Sequence, residues 1–217
     1  MNLILSISNI YKSYNGKTVL KDCSFSFDET GIYVLMGSNG SGKSTLLRIF
    51  ALLETPDRGE VNYLSNSDIV KKDIQLNRRI TLVLPKIGIF NTTVFKNAAY
   101  GLKIRGVKGK EMEKKVDRAL DFVGLTHKKN QNALTLSSGE TQRLGIARAI
   151  AIEPEMLFLD EPTASVDKEN TEIIENIILN MRKDGKSIIV ITTHDKMQAE
   201  RLADNILIMS EGRINHA

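Results

Sequence analysis

Residues 37–45 read Gly37-Ser38-Asn39-Gly40-Ser41-Gly42-Lys43-Ser44-Thr45, a G-x-x-x-x-G-K-[ST] spacing, and follow directly on Ile32-Tyr33-Val34-Leu35-Met36. The apolar pentapeptide predicts a strand covered on both faces. The apolar positions after the loop, Leu46, Leu47, Ile49, Phe50 and Leu53, predict a largely buried helix over 43–53 that stops before Pro56. Strand, glycine-rich loop and helix in that order are the setting in which such a loop cradles phosphate. Glycines let the backbone curl so that its N–H groups converge on phosphate oxygens, and the helix start adds the positive end of its dipole. Lys43 is expected to reach the β- and γ-phosphates as a point charge, and the Ser44 hydroxyl to ligate magnesium.

The rest of the chain is consistent with a fold built around that loop. Apolar stretches over 3–10 and 19–27, separated by Tyr14-Asn15-Gly16-Lys17, predict antiparallel strands ahead of it. A strand over 80–84 ends at Pro85. Beyond Gly101 the pattern turns helical: Met112, Val116, Leu120 and Val123 share a face, and Gly124 suits a C-terminal cap. Buried strands are predicted over 156–159, 187–192 and 206–209, separated by helices over 140–152, 169–181 and 196–203. Strands alternating with helices imply a mainly parallel sheet. The expected class is therefore α/β, with an antiparallel β subdomain at the N-terminus and an inserted helical lobe at about 86–153 in a single domain spanning 1–217.

Two further sites carry chemistry. Met156-Leu157-Phe158-Leu159-Asp160-Glu161 is an apolar strand tipped by two acids, where an α/β sheet usually sets its ligand-contacting groups. Asp160 is suited to the magnesium shell, and Glu161 to polarising the attacking water as a general base. His194 stands just past the strand over 187–192. If that strand neighbours the acid-tipped one and the loop-bearing one, His194 becomes a γ-phosphate sensor or a group that positions water.

Composition narrows the partners. The 217 residues are 41% apolar and 26% charged, as expected of a chain that buries a real core. The net charge of +4, spread along the chain except for a stretch from Lys103 to Arg118, disfavours a dedicated nucleic-acid binder. The lone Cys23 forms no internal disulfide and fits a reducing compartment. No apolar run approaches the roughly 18 residues that span a bilayer, and the first residues lack the pattern of a signal peptide. A cytoplasmic chain is expected, with any membrane role exerted through a partner.

With these residues placed, the chain resembles the ABC-transporter ATPase family over almost its whole length. Leu136-Ser137-Ser138-Gly139-Glu140-Thr141-Gln142-Arg143 looks like the family signature, Leu-Ser-Gly-Gly followed by Gln or Glu. A phosphate loop alone leaves kinases and small GTPases open, and the signature separates them. The resemblance implies that Ser137, Ser138, Gly139 and Glu140 bind the γ-phosphate held by a second copy. It also implies that Tyr14 stacks on adenine, and that Ala164-Ser165-Val166-Asp167 communicates between the two sites. Two departures stand out. Ser138 replaces a usual glycine. The loop after the strand over 80–84 lacks the glutamine that in the family ligates magnesium and senses the membrane partner; Pro85 or Lys86 occupies its place.

The resemblance implies MgATP as ligand, an ATP-dependent homodimer, integral membrane permease subunits as partners and a position on the cytoplasmic face of the membrane. It also suggests an importer with a solute-binding protein. The wording Thr93-Val94-Phe95-Lys96-Asn97-Ala98-Ala99-Tyr100-Gly101-Leu102-Lys103 looks like importers of tungstate, molybdate or related oxyanions. Because the sequence stops soon after Ile214, the extra C-terminal regulatory domain of some importer ATPases is not expected. Two other readings stay open: a nucleotide-dependent clamp or switch, and a regulator that binds nucleotide without driving transport.

Overall fold

A computed structural model describes residues 3–164, 166–183 and 185–216. It opens with β1 (Ile4–Tyr14), β2 (Lys17–Phe27), β3 (Gly31–Met36), α1 (Lys43–Phe50), β4 (Arg58–Ser65) and β5 (Asp68–Ile69). Next come α2 (Ile74–Asn77), β6 (Ile80–Val83), α3 (Val94–Ala98), α4 (Tyr100–Ile104), α5 (Gly109–Phe122) and α6 (Ser138–Ile150). The chain closes with β7 (Met156–Asp160), α7 (Lys168–Lys183), β8 (Ile188–Thr193), α8 (Lys196–Leu202), β9 (Asn205–Ser210) and β10 (Arg213–His216). Two compact units result, one from residues 1–82, 155–161 and 182–217, the other from residues 83–154 and 162–181.

The first unit holds an antiparallel sheet ordered β2-β1-β4-β5 and a second sheet ordered β10-β9-β3-β8-β7-β6. In the second sheet β3 pairs in parallel with both β8 and β9, and β7 pairs in parallel with β8. The antiparallel β10 closes one edge. Its core is continuous: Phe27 stacks edge-on against Tyr33 at 5.0 Å and against Phe50 at 5.3 Å, and Phe50 meets Phe158 at 5.9 Å. Tyr63 is fully buried, and its hydroxyl donates to the Phe50 carbonyl, so burial of the phenol leaves no orphaned donor. The sheets are also joined through backbone, Lys21 N donating to Gly212 O at 2.7 Å.

Three sequence expectations change. The helix after the phosphate loop ends at Phe50, because Leu52 turns into the left-handed region (φ 57°) and Leu53 is 69% exposed. Strand β4 was not predicted, although Val61 and Tyr63 are buried on alternate positions with Asn62 between them. Four residues of alternation among glycine and charge are a weak local signal, and pairing with β1 makes the strand. The hairpin strand β1 also runs on to Tyr14, with irregular register past Ile7.

In the second unit α5 buries Val116, Ala119 and Leu120, and Gly124 (φ 69°) follows its end as the sequence predicts. Among the described residues no helix is long and apolar enough to cross a membrane.

Candidate functional site

The loop between β3 and α1 is shaped for an anion. Ser38, Asn39 and Gly40 are exposed at its tip, while Ser41, Gly42 and Lys43 are buried. Gly42 caps α1 at φ 106°, and a Cβ there would stand 2.7 Å from the Met209 methyl and 2.8 Å from Leu20, so both conformation and space require glycine. The Leu46 N–H reaches the Gly42 carbonyl at 2.9 Å, so the N–H groups of Lys43, Ser44 and Thr45 belong to the first helical turn, with no carbonyl before them to bond. No acidic residue occupies that turn. Among the described residues the buried Ser41 hydroxyl has no hydrogen-bond partner, and a phosphate oxygen would supply one.

Strand order assembles the other groups here. Because β8 lies between β3 and β7, His194 at its end stands beside the loop on one side and the acids on the other, as the conditional sequence reading required. Ser44 Oγ donates to Asp160 Oδ1 at 3.0 Å. Lys43 Nζ donates to the carbonyls of Gly37 and Ser38 at 2.8 and 3.1 Å and lies 3.6 Å from Glu161 Oε1. His194 Nδ1 also lies 3.6 Å from Glu161 Oε1, with its ring 58% exposed. A hydroxyl and a carboxylate side by side are hard oxygen donors of the kind magnesium takes together with substrate phosphates and water.

Thr192 is a site residue that the sequence reading missed. Fully buried on β8 and paired in register with Asp160, its Oγ1 donates to Asp160 Oδ1 at 2.7 Å and accepts the Glu161 N–H at 2.9 Å. The available signal was a pair of hydroxyls, Thr192 and Thr193, at the end of a strand otherwise made of isoleucine and valine. Tyr14 is 40% exposed and its hydroxyl donates to Glu54, which Lys12 also approaches at 3.5 Å. Burial, reinforced by Glu54, pushes the Tyr14 phenol up from its ordinary value.

The signature residues lie in the second unit, at the start of α6. Ser137 caps the helix: its Oγ accepts the Glu140 N–H at 3.3 Å, and Glu140 Oε2 accepts the Ser137 N–H at 2.9 Å. Glu140 Oε1 also pairs with Lys128 at 2.5 Å. Burial pushes the Glu140 carboxyl up, but Lys128 and the Ser137 hydrogen bonds outweigh it and hold the group below the usual carboxylate range. The cap leaves the N–H groups of exposed Ser138 and of Gly139 in the first turn of the helix, where no carbonyl precedes them to bond. Gly139 itself packs on Asn170, whose amide donates to Asp167 at 3.0 Å, within the stretch linked by resemblance to communication between sites; Ser165 of that stretch lies outside the described residues.

The loop lacking glutamine is fastened to the same helix. Ile87 fills the space beside Gly145, and Arg148 donates to Gly88 O and to Asn97 Oδ1, both at 3.0 Å. The fully buried Asn97 bonds to the backbone of Phe90 and Thr93, so residues 88–93 are tied to α6. Burial lowers the Arg148 pKa from its ordinary value, an effect that Tyr100 partly opposes.

Comparison with known proteins identifies the family. The family model described as ABC transporter matches residues 20–164. The tungstate uptake system ATP-binding protein TupC of Peptoclostridium acidaminophilum is 41% identical over 213 residues, covering 98% of this chain and 97% of that protein. The phosphate import ATP-binding protein PstB 2 of Natronomonas pharaonis is 35% identical over 98% of this chain and 79% of its own length. The dimeric structure of a bacterial ABC transporter cassette superposes with a TM-score of 0.84 at 27% identity, covering 98% of this chain and 97% of that one. The chain thus belongs to the ABC transporter family as one of its ATP-binding proteins, whose members hydrolyse ATP to power transport.

Proposed function

We propose that this chain is the ATP-hydrolysing subunit of an importer, working on the cytoplasmic face of the membrane through separate permease subunits and a solute-binding protein. The observation that carries this reading is the convergence of Lys43, Ser44, Asp160, Glu161 and His194 around one anion-shaped loop. The backbone of Gly37, Ser38, Asn39, Gly40, Ser41, Gly42 and Thr45 cradles the β- and γ-phosphates, and Tyr14 stacks on adenine. Ser44 and Asp160 fit Mg2+, which when bound neutralises phosphate charge. Glu161 takes the proton of a water that attacks the γ-phosphorus as the bond to ADP breaks, and His194 orients that water.

The second half of the site comes from another copy, whose Ser137, Ser138, Gly139 and Glu140 present a helix N-terminus to the γ-phosphate. ATP then holds the dimer closed and hydrolysis releases it. The ties between residues 88–93 and α6 support coupling that runs from the signature helix to the segment without the usual glutamine. For cargo, the similarity to a tungstate uptake protein over nearly the full length of both chains supports a tetrahedral oxyanion.

The test has two arms. Steady-state hydrolysis of MgATP is measured for the parent and for Glu161→Gln, with sedimentation in ATP; hydrolysis by the parent, and an ATP-locked dimer with little turnover for the variant, are expected. Uptake of tungstate by cells with and without the chain, against phosphate and sulfate controls, checks cargo. Unchanged tungstate uptake on deletion rejects that assignment.

A further inference from the structure

We propose that Thr192 is the positioning residue that sets both acids of the site, through one hydroxyl that donates to the Asp160 carboxylate and accepts the Glu161 N–H. The inference rests on the assignment of Asp160 and Glu161 proposed above.

Successive residues of a strand point to opposite faces, so Asp160 and Glu161 cannot both address one ligand while the strand continues. The chain solves this at Glu161, where φ is 45°. This left-handed conformation is costly for a residue with a Cβ and persists only where its surroundings hold it. Thr192 Oγ1 supplies that hold, accepting the Glu161 N–H at 2.9 Å just where β7 stops. The turn carries Glu161 Oε1 back to 3.6 Å from both Lys43 Nζ and His194 Nδ1.

The same hydroxyl fixes the neighbouring acid. Asp160 is only 2% exposed, and its Oδ1 accepts from Thr192 at 2.7 Å and from Ser44 at 3.0 Å. Neither bond uses Oδ2, so two hydroxyls lock the carboxylate while one oxygen stays available to a cation's hydration shell. Thr192 has no exposed surface and stands between β3 and β7, so it acts through the two acids and does not itself meet the nucleotide.

Valine matches threonine in shape and suits a buried strand equally well, so Thr192→Val deletes both bonds and leaves the packing in place; Thr192→Ser keeps the hydroxyl. Expected for Thr192→Val is a kcat about tenfold lower or less, because two hydrogen bonds that orient charged groups are lost. KM for ATP should change less than about twofold, since the phosphate loop is untouched. The Mg2+ concentration that half-saturates binding of a fluorescent ATP analogue should rise severalfold. Thr192→Ser should return both readouts to within about threefold of the parent. A Thr192→Val with the parent's kcat and Mg2+ dependence overturns the proposal. So does a loss that Thr192→Ser fails to relieve, or one that follows the thermal midpoint instead of the Mg2+ readout. Glu161→Gln is assayed alongside. If it hydrolyses like the parent, the site assignment falls and this inference with it, whereas a silent Thr192→Val beside an inactive Glu161→Gln overturns the inference alone.

Discussion

Lys43 Nζ lies 3.6 Å from Glu161 Oε1, so the cation of the phosphate loop and the proposed general base face each other directly. Lys43 is 4% exposed and also spans the carbonyls of Gly37 and Ser38, so its charge is already compensated before any phosphate arrives. Phosphate oxygens must compete with Glu161 for it. Glu161→Gln removes that competitor and the base together. ATP should bind at least as tightly as to the parent, while kcat falls by about 10²-fold or more. Lys43→Ala should instead lose binding. Equilibrium binding of a fluorescent ATP analogue, set beside single-turnover hydrolysis, separates the two; a Glu161→Gln variant that binds ATP more weakly contradicts the competition.

Tyr14 is held by its hydroxyl, which donates to Glu54, and Lys12 Nζ stands 5.6 Å from the ring centre. If the ring is an adenine platform, its face does the work and the hydroxyl only aims it. Tyr14→Ala should weaken ATP binding by about fivefold to tenfold, the worth of one aromatic stack. Tyr14→Phe should stay within about twofold, because the face is kept. Titration with ATP and with inorganic triphosphate is the check: only ATP should sense Tyr14→Ala, and a loss shared by triphosphate would put the ring in the phosphate cradle instead.

Much of this site was legible in the sequence because its parts are local. The spacing from Gly37 to Thr45, the strand before it and the acids at the end of β7 each occupy a short window whose chemistry can be read directly. What was hidden depended on pairing between distant segments. That His194 meets Glu161 follows only from β8 lying between β3 and β7, and a strand order is not written in any one window. Thr192 was hidden more deeply, since a threonine in a β-branched strand reads as ordinary strand propensity until its partner strand is known. Strand β4 escaped for the same reason, since pairing with β1 decides it, whereas the early end of α1 turns on the left-handed conformation of Leu52.

Gly139 has no room for a side chain, as a Cβ there would fall 2.2 Å from Asn170 Cγ. Asn170 cannot simply rotate away, because its amide and backbone N–H both bond to Asp167, at 3.0 and 2.8 Å. Gly139→Ala should therefore push α7 from α6 and lower stability by about 1–3 kcal/mol, the usual cost of overpacking. The double variant Gly139→Ala with Asn170→Ala should recover part of that loss, since it clears Cγ and Oδ1 but leaves the Asn170 Cβ 2.7 Å from the added Cβ. Chemical denaturation of all three proteins tests the coupling, and additive effects would mean that the two residues do not press on each other.

Glu140 links the cap of α6 to Lys128, and its depressed pKa ties that link to pH. A carboxyl whose folded pKa lies below its unfolded value stabilises the fold above the unfolded value, and the contribution is lost as pH falls through the folded one. The unfolded value is the ordinary 4.5, so the full contribution is present at pH 7 and disappears below that point. Glu140→Gln keeps an acceptor for the Ser137 N–H but loses the charge that faces Lys128. It should cost about 0.5 kcal/mol at pH 7, the scale of a solvent-screened ion pair. Against the parent the difference should shrink steadily below pH 4.5, because there the parent carboxyl also becomes neutral. Urea unfolding at pH 7 and at several acid points measures it, and a difference that stays constant into acid would show that shape, and not charge, fixes the start of the signature helix.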